Sequence, residues 1–265
     1  MADGSASSAA SPASAGSPAS ARRRGSEKTP IFRLLAVIAL PFMTLVAKYR
    51  IHDGDKIPTS GAFVLSPNHY SEIDPLVIGV VMWKLNRMPR FLAKGSLFRV
   101  PVIGWLLRAS GQIPVERTGT SRGSDPLAAA KKIVDDGSAV VIYPEGSLTR
   151  DPDLWPMRGK AGAVRMALQA GIPIIPAAHW GTQHLMPRYG KRIRMFPRST
   201  IDVRFGDAVD LSDFRDRPLD AQTTAAATAR VMDAVTALLE QLRGETAPPE
   251  RWDPSKNNQK ETGRF

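Results

Sequence analysis

The 265-residue chain contains no cysteine, which excludes disulfide bonds, a thiolate nucleophile and cysteine-ligated metal centres. Its formal net charge is +11. Residues 1–29 contribute +2 and residues 244–265 contribute zero, so the body of the protein keeps +9. This charge favours an anionic partner, and it leaves nucleic acid, anionic lipid headgroups and a phosphorylated substrate open.

Residues 1–29 begin with a stretch of mostly Ser, Ala, Gly and Pro, at 1–20, and end with a small cluster of basic residues. This composition offers too little apolar bulk to offset the entropy lost on ordering, and it predicts a disordered tail. Arg22–Arg24 come after the small residues and do not precede a short apolar core with a cleavage site. A secretory signal is therefore not expected.

An apolar segment follows at about residues 31–48 and is interrupted by Pro41. A bilayer span needs about 20 apolar residues, and this segment approaches that length only if Arg33 and Lys48 reach towards the surface. Basic residues on both sides favour a membrane-associated helix that lies in the interface over one that crosses the bilayer. A buried first helix of the domain is the alternative.

From Pro58 onward, short apolar stretches alternate with helical patterns. Strands are predicted at 61–66, 90–93, 111–115, 139–143, 172–178 and 201–205, and helices at 75–85, 125–136, 159–170 and 225–243. The alternation predicts an α/β domain within residues 30–243, with a mostly parallel sheet flanked by helices. Residues 244–265 return to a polar composition and predict a C-terminal tail.

Unusual polar residues follow three of the predicted strands. Asn68 and His69 come after the first strand, Arg117 after the third, and Glu145 with Gly146 after the fourth. In sheets of this kind, ligands gather at the carboxyl ends of the strands. The sequence therefore predicts a binding site at this edge of the sheet.

The histidine of this group precedes Asp74 by five residues in the segment NHYSEID. On a regular helix the two side chains would point apart, but Pro75 favours a helix that begins near Asp74, with His69 on the preceding turn. The imidazole can then contact the carboxylate, which would fix its tautomer and leave the other nitrogen as a general base. A structural histidine beside an ordinary Asp-Pro helix start explains this pair equally well.

The chain shows no Gly-x-Ser-x-Gly elbow and no His-Glu-x-x-His metal pattern. A His–Asp pair without a protein nucleophile indicates a substrate that brings its own. A hydroxyl group that is deprotonated as it attacks a carbonyl carbon fits this description.

Four sequence blocks occur in a fixed order between about residues 60 and 180. They are NHYSEID (68–74), GQIPVER (111–117), YPEGS (143–147) and IPIIP (172–176). Together they resemble the His-x4-Asp signature and the three later blocks of the glycerolipid acyltransferases related to 1-acylglycerol-3-phosphate acyltransferase. The resemblance implies an acyltransferase domain over residues 30–243.

The family resemblance implies that His69 removes the proton of the acceptor hydroxyl while Asp74 orients His69, without a metal. Arg117 is the first choice for a phosphate, because its fork matches phosphate oxygens, although a solvated basic loop is the alternative. Glu145 is expected to accept a hydrogen bond from the glycerol part or from Arg117. Arg150 stands later than the family's arginine, which leaves its role open. The full set expected to bind substrate is Lys94, Gly111, Arg117, Glu145, Gly146, Ser147 and Arg150.

The implied reaction moves a fatty acyl group from acyl-CoA or acyl carrier protein to the free hydroxyl of lysophosphatidic acid, giving phosphatidic acid. The thioester is a co-substrate, and no other cofactor is implied. The expected surroundings are a membrane phospholipid surface at the cytoplasmic face of the cell membrane. Nucleic acid is not expected as a partner, because no recognisable nucleic-acid module accompanies the charge.

Three other functions stay open on the sequence. The acceptor could be glycerol 3-phosphate or another lysophospholipid, the site could hydrolyse the thioester, or the chain could be a non-catalytic protein that binds membrane or nucleic acid. A basic cluster could face lipid headgroups or the phosphates of the acyl carrier, although a solvated basic loop explains it at least as well. The cluster contains Arg188, Lys191, Arg192, Arg194 and Arg198, with Met195 and Phe196 among them.

Overall fold

A seven-stranded sheet organises the computed structural model, which describes residues 27–115 and 126–260. The strands are β1 (Ala47–His52), β2 (Phe63–Pro67), β3 (Pro89–Lys94), β4 (Ile113–Val115), β5 (Ala139–Val141), β6 (Ile174–Trp180) and β7 (Ser199–Phe205). Their order across the sheet is β1-β7-β6-β2-β5-β3-β4. Every neighbouring pair is parallel except β6 with β7. The predicted α/β class with a mostly parallel sheet is confirmed.

Helices cover both faces of this sheet. They are α1 (Pro30–Val46), α2 (Asp74–Lys84), α3 (Pro101–Ala109), α4 (Pro126–Asp136), α5 (Gly162–Ala170), α6 (Thr182–Leu185) and α7 (Ala221–Arg243). Phe63 and Leu65 of β2 pack in one core with α1 and α2, whereas Val64 packs in a second core with α4, α5 and α7. β2 is therefore buried on both faces, which suits its apolar sequence Phe63-Val64-Leu65.

Local sequence signals set the ends of the helices around the site. α2 begins at Asp74-Pro75, where the fixed φ angle of proline suits the first turn of a helix. α5 is capped at its C-terminal end by Gly171, whose φ of 63° is a left-handed conformation that glycine adopts without strain. The Asp220 carboxylate accepts a hydrogen bond from the Thr223 N–H at the start of α7.

The predicted apolar segment at 31–48 is helical as far as Val46, and β1 begins directly at Ala47. One side of α1 is buried through Met43 and Val46, while Val37 and Ile38 on the other side are 73% and 69% exposed. The helix thus combines a core-facing side with an unpartnered apolar side. No helix within residues 27–115 and 126–260 has the length and apolarity to cross a bilayer.

Residues 244–260, predicted as part of a polar tail, pack against the body of the protein. The Trp252 carbonyl accepts a hydrogen bond from the Arg158 N–H at 2.9 Å, and Pro254 is buried. At the other end, Glu27 of the predicted N-terminal tail forms a 2.9 Å ion pair with the buried Arg87. Residues 1–26 and 261–265 lie outside the described residues.

Candidate active site

Residues that follow β2 and β5 meet at the carboxyl edge of the sheet. His69 lies two residues after β2, and Tyr143 lies two residues after β5. Because these strands are hydrogen-bonded neighbours, their continuations emerge side by side. The two rings stack with centroids 3.9 Å apart, which fixes the plane of the imidazole.

The predicted contact between His69 and Asp74 is present. His69 Nδ1 lies 2.9 Å from Asp74 Oδ2, and the same oxygen accepts hydrogen bonds from the Tyr70 and Ser71 N–H groups. Burial opposes ionisation of Asp74, but His179, His69 and the Ser71 N–H outweigh it and lower the pKa of this carboxyl. An ionised Asp74 therefore holds Nδ1 as the donor and leaves Nε2 as the basic nitrogen of His69.

Glu145 accepts a hydrogen bond from the backbone of His69. Its side chain is 0% exposed, Oε1 accepts from the His69 N–H, and Oε2 accepts from the Met157 N–H, both at 2.9 Å. Both oxygens thus serve backbone donors inside the protein, and the expected hydrogen bond to the glycerol part or to Arg117 stays a prediction. Burial raises the pKa of Glu145 to about 8. Its carboxyl group fixes the backbone that carries the imidazole.

We expect Glu145 to make stability depend on pH. The folded state keeps a proton on Glu145 up to about pH 8, whereas the unfolded state releases it near 4.5, so the free energy of unfolding falls as pH rises between these values. Glu145→Gln removes this term, which is on the order of a few kcal/mol. Urea denaturation at several pH values should therefore show the wild-type advantage over the variant shrinking from pH 5 to pH 8. Parallel curves for the two proteins would contradict this role.

A long apolar groove of about 920 Å³ opens beside the histidine. α1, α2, β3 and α3 contribute its apolar walls, with Leu35, Gly79, Trp83, Phe91 and Leu107 among the lining residues. His69, Gly146, Ser147 and Lys160 also line it and place polar and basic groups at one wall. The groove therefore joins a hydrocarbon-compatible cavity to the His–Asp pair.

Two of the predicted substrate-binding residues line this groove, Gly146 and Ser147. Gly146 has a φ of 71°, and a Cβ atom placed there would lie 3.0 Å from Cδ of Lys160. The glycine thus allows Lys160 to lie close to the turn that follows β5. Lys160 belongs to no recognised block and was missed in the sequence.

Other predicted residues lie elsewhere or beyond the described part. Arg117 falls within residues 116–125, outside the described residues, and its role stays a prediction. Lys94 is the last residue of β3, with Val115 as its partner in β4. Gly111, with a φ of 68°, follows α3 beside Arg90 and does not line the described groove.

The structure does not place Arg150 at the groove, where it was predicted to bind substrate. The chain turns inward after Ser147, and the Thr149 N–H donates to the His69 carbonyl at 2.6 Å. Arg150 is consequently 1% exposed and is not part of the lining of the described groove. The two residues inserted before this arginine carry it into the protein, where it is not accessible to substrate.

The structure also brings His179 of β6 to the site, although its position in the sequence gives no hint of this. The Asn68 side-chain amide makes two hydrogen bonds to the backbone of His179. Its nitrogen donates to the His179 carbonyl, and its Oδ1 accepts from the His179 N–H at 2.9 Å. His179 Nε2 lies 3.6 Å from Asp74 Oδ2. Only the pairing of β2 with β6 reveals this proximity.

Comparison with known proteins identifies the family. The Acyltransferase family model matches residues 48–180. The chain is 31% identical over 134 residues to the chloroplastic 1-acyl-sn-glycerol-3-phosphate acyltransferase of Brassica napus, covering 50% of this chain and 37% of that one. It is 27% identical over 176 residues to the 1-acyl-sn-glycerol-3-phosphate acyltransferase of Bacillus subtilis, covering 66% and 81%. The chain thus spans well under half the length of the plant relative.

The fold is shared with a solved structure, the 1-acyl-sn-glycerophosphate (LPA) acyltransferase of Thermotoga maritima. The TM-score is 0.59, with 20% sequence identity, and the match covers 82% of this chain and 81% of that one. The family-model match spans half of the chain and includes His69, Asp74, Glu145 and Gly146. This chain belongs to the Acyltransferase family.

Proposed function

We propose that the protein transfers a fatty acyl group from an acyl thioester to the free hydroxyl of 1-acylglycerol 3-phosphate, giving phosphatidic acid. One observation carries the proposal: the imidazole of His69, held by Asp74 at 2.9 Å, faces an apolar groove of about 920 Å³. This arrangement suits a reaction between a lipid hydroxyl and a long-chain thioester. The names of the relatives support the choice of acceptor.

The chemistry needs one proton transfer in each direction. His69 Nε2 accepts the proton of the acceptor hydroxyl as the oxygen attacks the thioester carbonyl carbon. Asp74 stabilises the imidazolium that forms. The carbon–sulfur bond then breaks, the ester remains, and the imidazolium returns its proton to the departing thiolate. No acyl-enzyme forms, so the protein needs no serine or cysteine nucleophile.

A phosphate on the acceptor calls for a cation near the histidine. Lys160 lines the same groove wall as His69, next to Gly146. An ammonium group pairs well with phosphate oxygens in a partly buried setting. We assign Lys160 to the acceptor phosphate, together with the predicted contribution of Arg117.

The groove is proposed to hold the acyl chain of the thioester. Gly79 of α2 lines it, and a Cβ atom at this position would have no neighbour within 4 Å. Gly79→Phe should therefore fold normally and occupy part of the cavity. We expect transfer of long acyl chains to fall about tenfold or more, while short chains are still used.

Rates with palmitoyl and octanoyl thioesters measure this chain-length effect. Ala226→Phe, on the exposed surface of α7, is the matched control and should leave the ratio of the two rates unchanged. An equal loss for both thioesters in Gly79→Phe would place the acyl chain elsewhere.

We further propose that the protein lies on the cytoplasmic face of the membrane, with the exposed side of α1 in the lipid interface. The basic cluster extends the same surface: Arg198 donates hydrogen bonds to the Thr44 and Ala47 carbonyls at the end of α1. Phe196, two residues earlier, is 68% exposed. Apolar groups beside basic ones fit an anionic phospholipid surface.

Flotation with vesicles of phosphatidylcholine and phosphatidylglycerol tests this placement. The double variant Val37→Glu/Ile38→Glu should lose at least about tenfold in vesicle affinity, because it puts two carboxylates into the interface. Ala226→Glu on α7 is the control for added charge. Binding of the double variant at the wild-type level would exclude α1 as the membrane contact.

A comparison of acceptors tests the function itself. Purified protein is incubated with labelled acyl-CoA, or with acyl carrier protein thioester, and lysophosphatidate, glycerol 3-phosphate or other lysophospholipids. We expect lysophosphatidate to give the highest rate, and the two thioesters to reveal the donor. A higher rate with glycerol 3-phosphate would overturn the assigned acceptor.

A further inference from the structure

His179 is a buried histidine at the carboxyl end of β6, directly behind the catalytic pair. Its side chain is 0% exposed and packs against Tyr70, with ring centroids 4.9 Å apart. The Tyr70 hydroxyl and the Asn68 amide both donate to the His179 carbonyl. The backbone of His179 is thereby fixed, and its ring has little freedom to turn.

The hydrogen bonds of the ring define its protonation. His179 Nε2 lies 2.9 Å from the Asn68 carbonyl oxygen, which can only accept, so Nε2 carries a proton. Nδ1 is buried and has no hydrogen-bond partner among the described residues. Burial lowers the pKa of His179, against the opposing influence of Asp74. The ring is therefore the neutral tautomer with its proton on Nε2.

This same N–H group lies next to the catalytic carboxylate. Asp74 Oδ2 is 2.9 Å from His69 Nδ1 and 3.6 Å from His179 Nε2, so both imidazoles approach one oxygen. Asp74 Oδ1, in contrast, has no hydrogen-bond partner in the described structure. The negative charge on Oδ2 thus acts on His69 and, from 3.6 Å, on the N–H dipole of the neutral His179, which itself donates to the Asn68 carbonyl.

We propose that His179 is a positioning residue that shares Asp74 Oδ2 with His69 and thereby limits how strongly Asp74 stabilises the His69 imidazolium. Without the N–H dipole of His179, the carboxylate charge would act on His69 alone and make it a stronger base. This inference rests on the proposed function for its kinetic readout.

Several titratable and charged groups lie around Asp74 and His179 on the neighbouring elements, and a substitution of His179 alone leaves their chemical identity unchanged. They are His69 and Tyr70 after β2, Tyr143 and Glu145 after β5, and Arg243 of α7.

The pH profile of kcat/KM with lysophosphatidate tests the proposal. His179→Phe keeps a buried ring and removes the N–H, so the acidic limb should move to higher pH by about half a unit or more. His179→Gln restores a donor and should return the limb towards the wild-type position. Tyr70→Phe is the matched control: it removes a hydrogen bond to the same backbone segment and should leave the limb in place. Superimposable profiles of wild type and His179→Phe would overturn the proposal.

A second measurement uses the wild-type protein and needs no activity. Nitrogen NMR of histidine-labelled protein, with the His179 signals assigned through His179→Gln, should show a neutral ring protonated on Nε2 between about pH 6 and 8. A ring that titrates in this range, or that carries its proton on Nδ1, would contradict the proposal. Absence of acyl transfer by the wild type would instead overturn the proposed function and leave this test intact.

Discussion

His69→Ala should abolish nearly all acyl transfer, with an expected loss of about 10³-fold in kcat. General-base catalysis by a positioned histidine contributes about 10²–10⁴-fold, and His69 is the only histidine among the described residues that line the groove. The variant should fold, because Asp74 keeps its two backbone donors at Tyr70 and Ser71. Product formation from labelled acyl-CoA and lysophosphatidate measures the effect.

The control for this variant is His184→Ala. His184 is exposed in α6 and does not line the groove, so its loss should leave the rate unchanged. Membrane binding should be equal in both variants. A non-catalytic basic protein would show no transfer in the wild type either, and unchanged transfer by His69→Ala would disprove the assigned base.

Asp74→Asn should lower kcat by about 10²–10³-fold while preserving the fold. The reason is the asymmetry of the carboxylate: Oδ2 accepts all the hydrogen bonds, and Oδ1 has none within the described residues. An asparagine can place its oxygen at the Oδ2 position and its amide group at the Oδ1 position. Only the negative charge is then lost, and with it the stabilisation of the His69 imidazolium.

Two readouts separate loss of charge from loss of structure in Asp74→Asn. The melting temperature should change little, and the acidic limb of the pH profile should move to lower pH, opposite to His179→Phe. The direction follows because His69 becomes a weaker base once the carboxylate charge is gone. A wild-type kcat in Asp74→Asn would show that the carboxylate has no part in catalysis.

Within residues 27–115 and 126–260, the sequence predicted six of the seven strands and, with the apolar segment at 31–48, five of the seven helices. It missed β1, which follows α1 without a break and mixes polar with apolar residues along the edge of the sheet. It missed α3, an apolar helix in which Val102, Ile103 and Trp105 are exposed. The antiparallel direction of β7 depends on the long connection after β6, which sequence periodicity does not describe.

For the site, local sequence predicted the contact that depends on local geometry. His69 and Asp74 are joined by one turn and a proline, so their proximity could be argued from spacing. The use of Glu145 for the His69 and Met157 N–H groups could not, because backbone donors have no sequence signature. His179 and Lys160 reach the site through strand order and a loop path that only the fold reveals.

The fate of the thioester with and without a lipid hydroxyl tests the central claim most directly. Purified wild-type protein is given labelled acyl thioester, and free fatty acid and phosphatidic acid are counted with and without lysophosphatidate. We predict that thioester disappears only when the acceptor is present, with one phosphatidic acid formed for each thioester consumed. Equal consumption without the acceptor, ending in free fatty acid, would show that water is the nucleophile and would contradict the account.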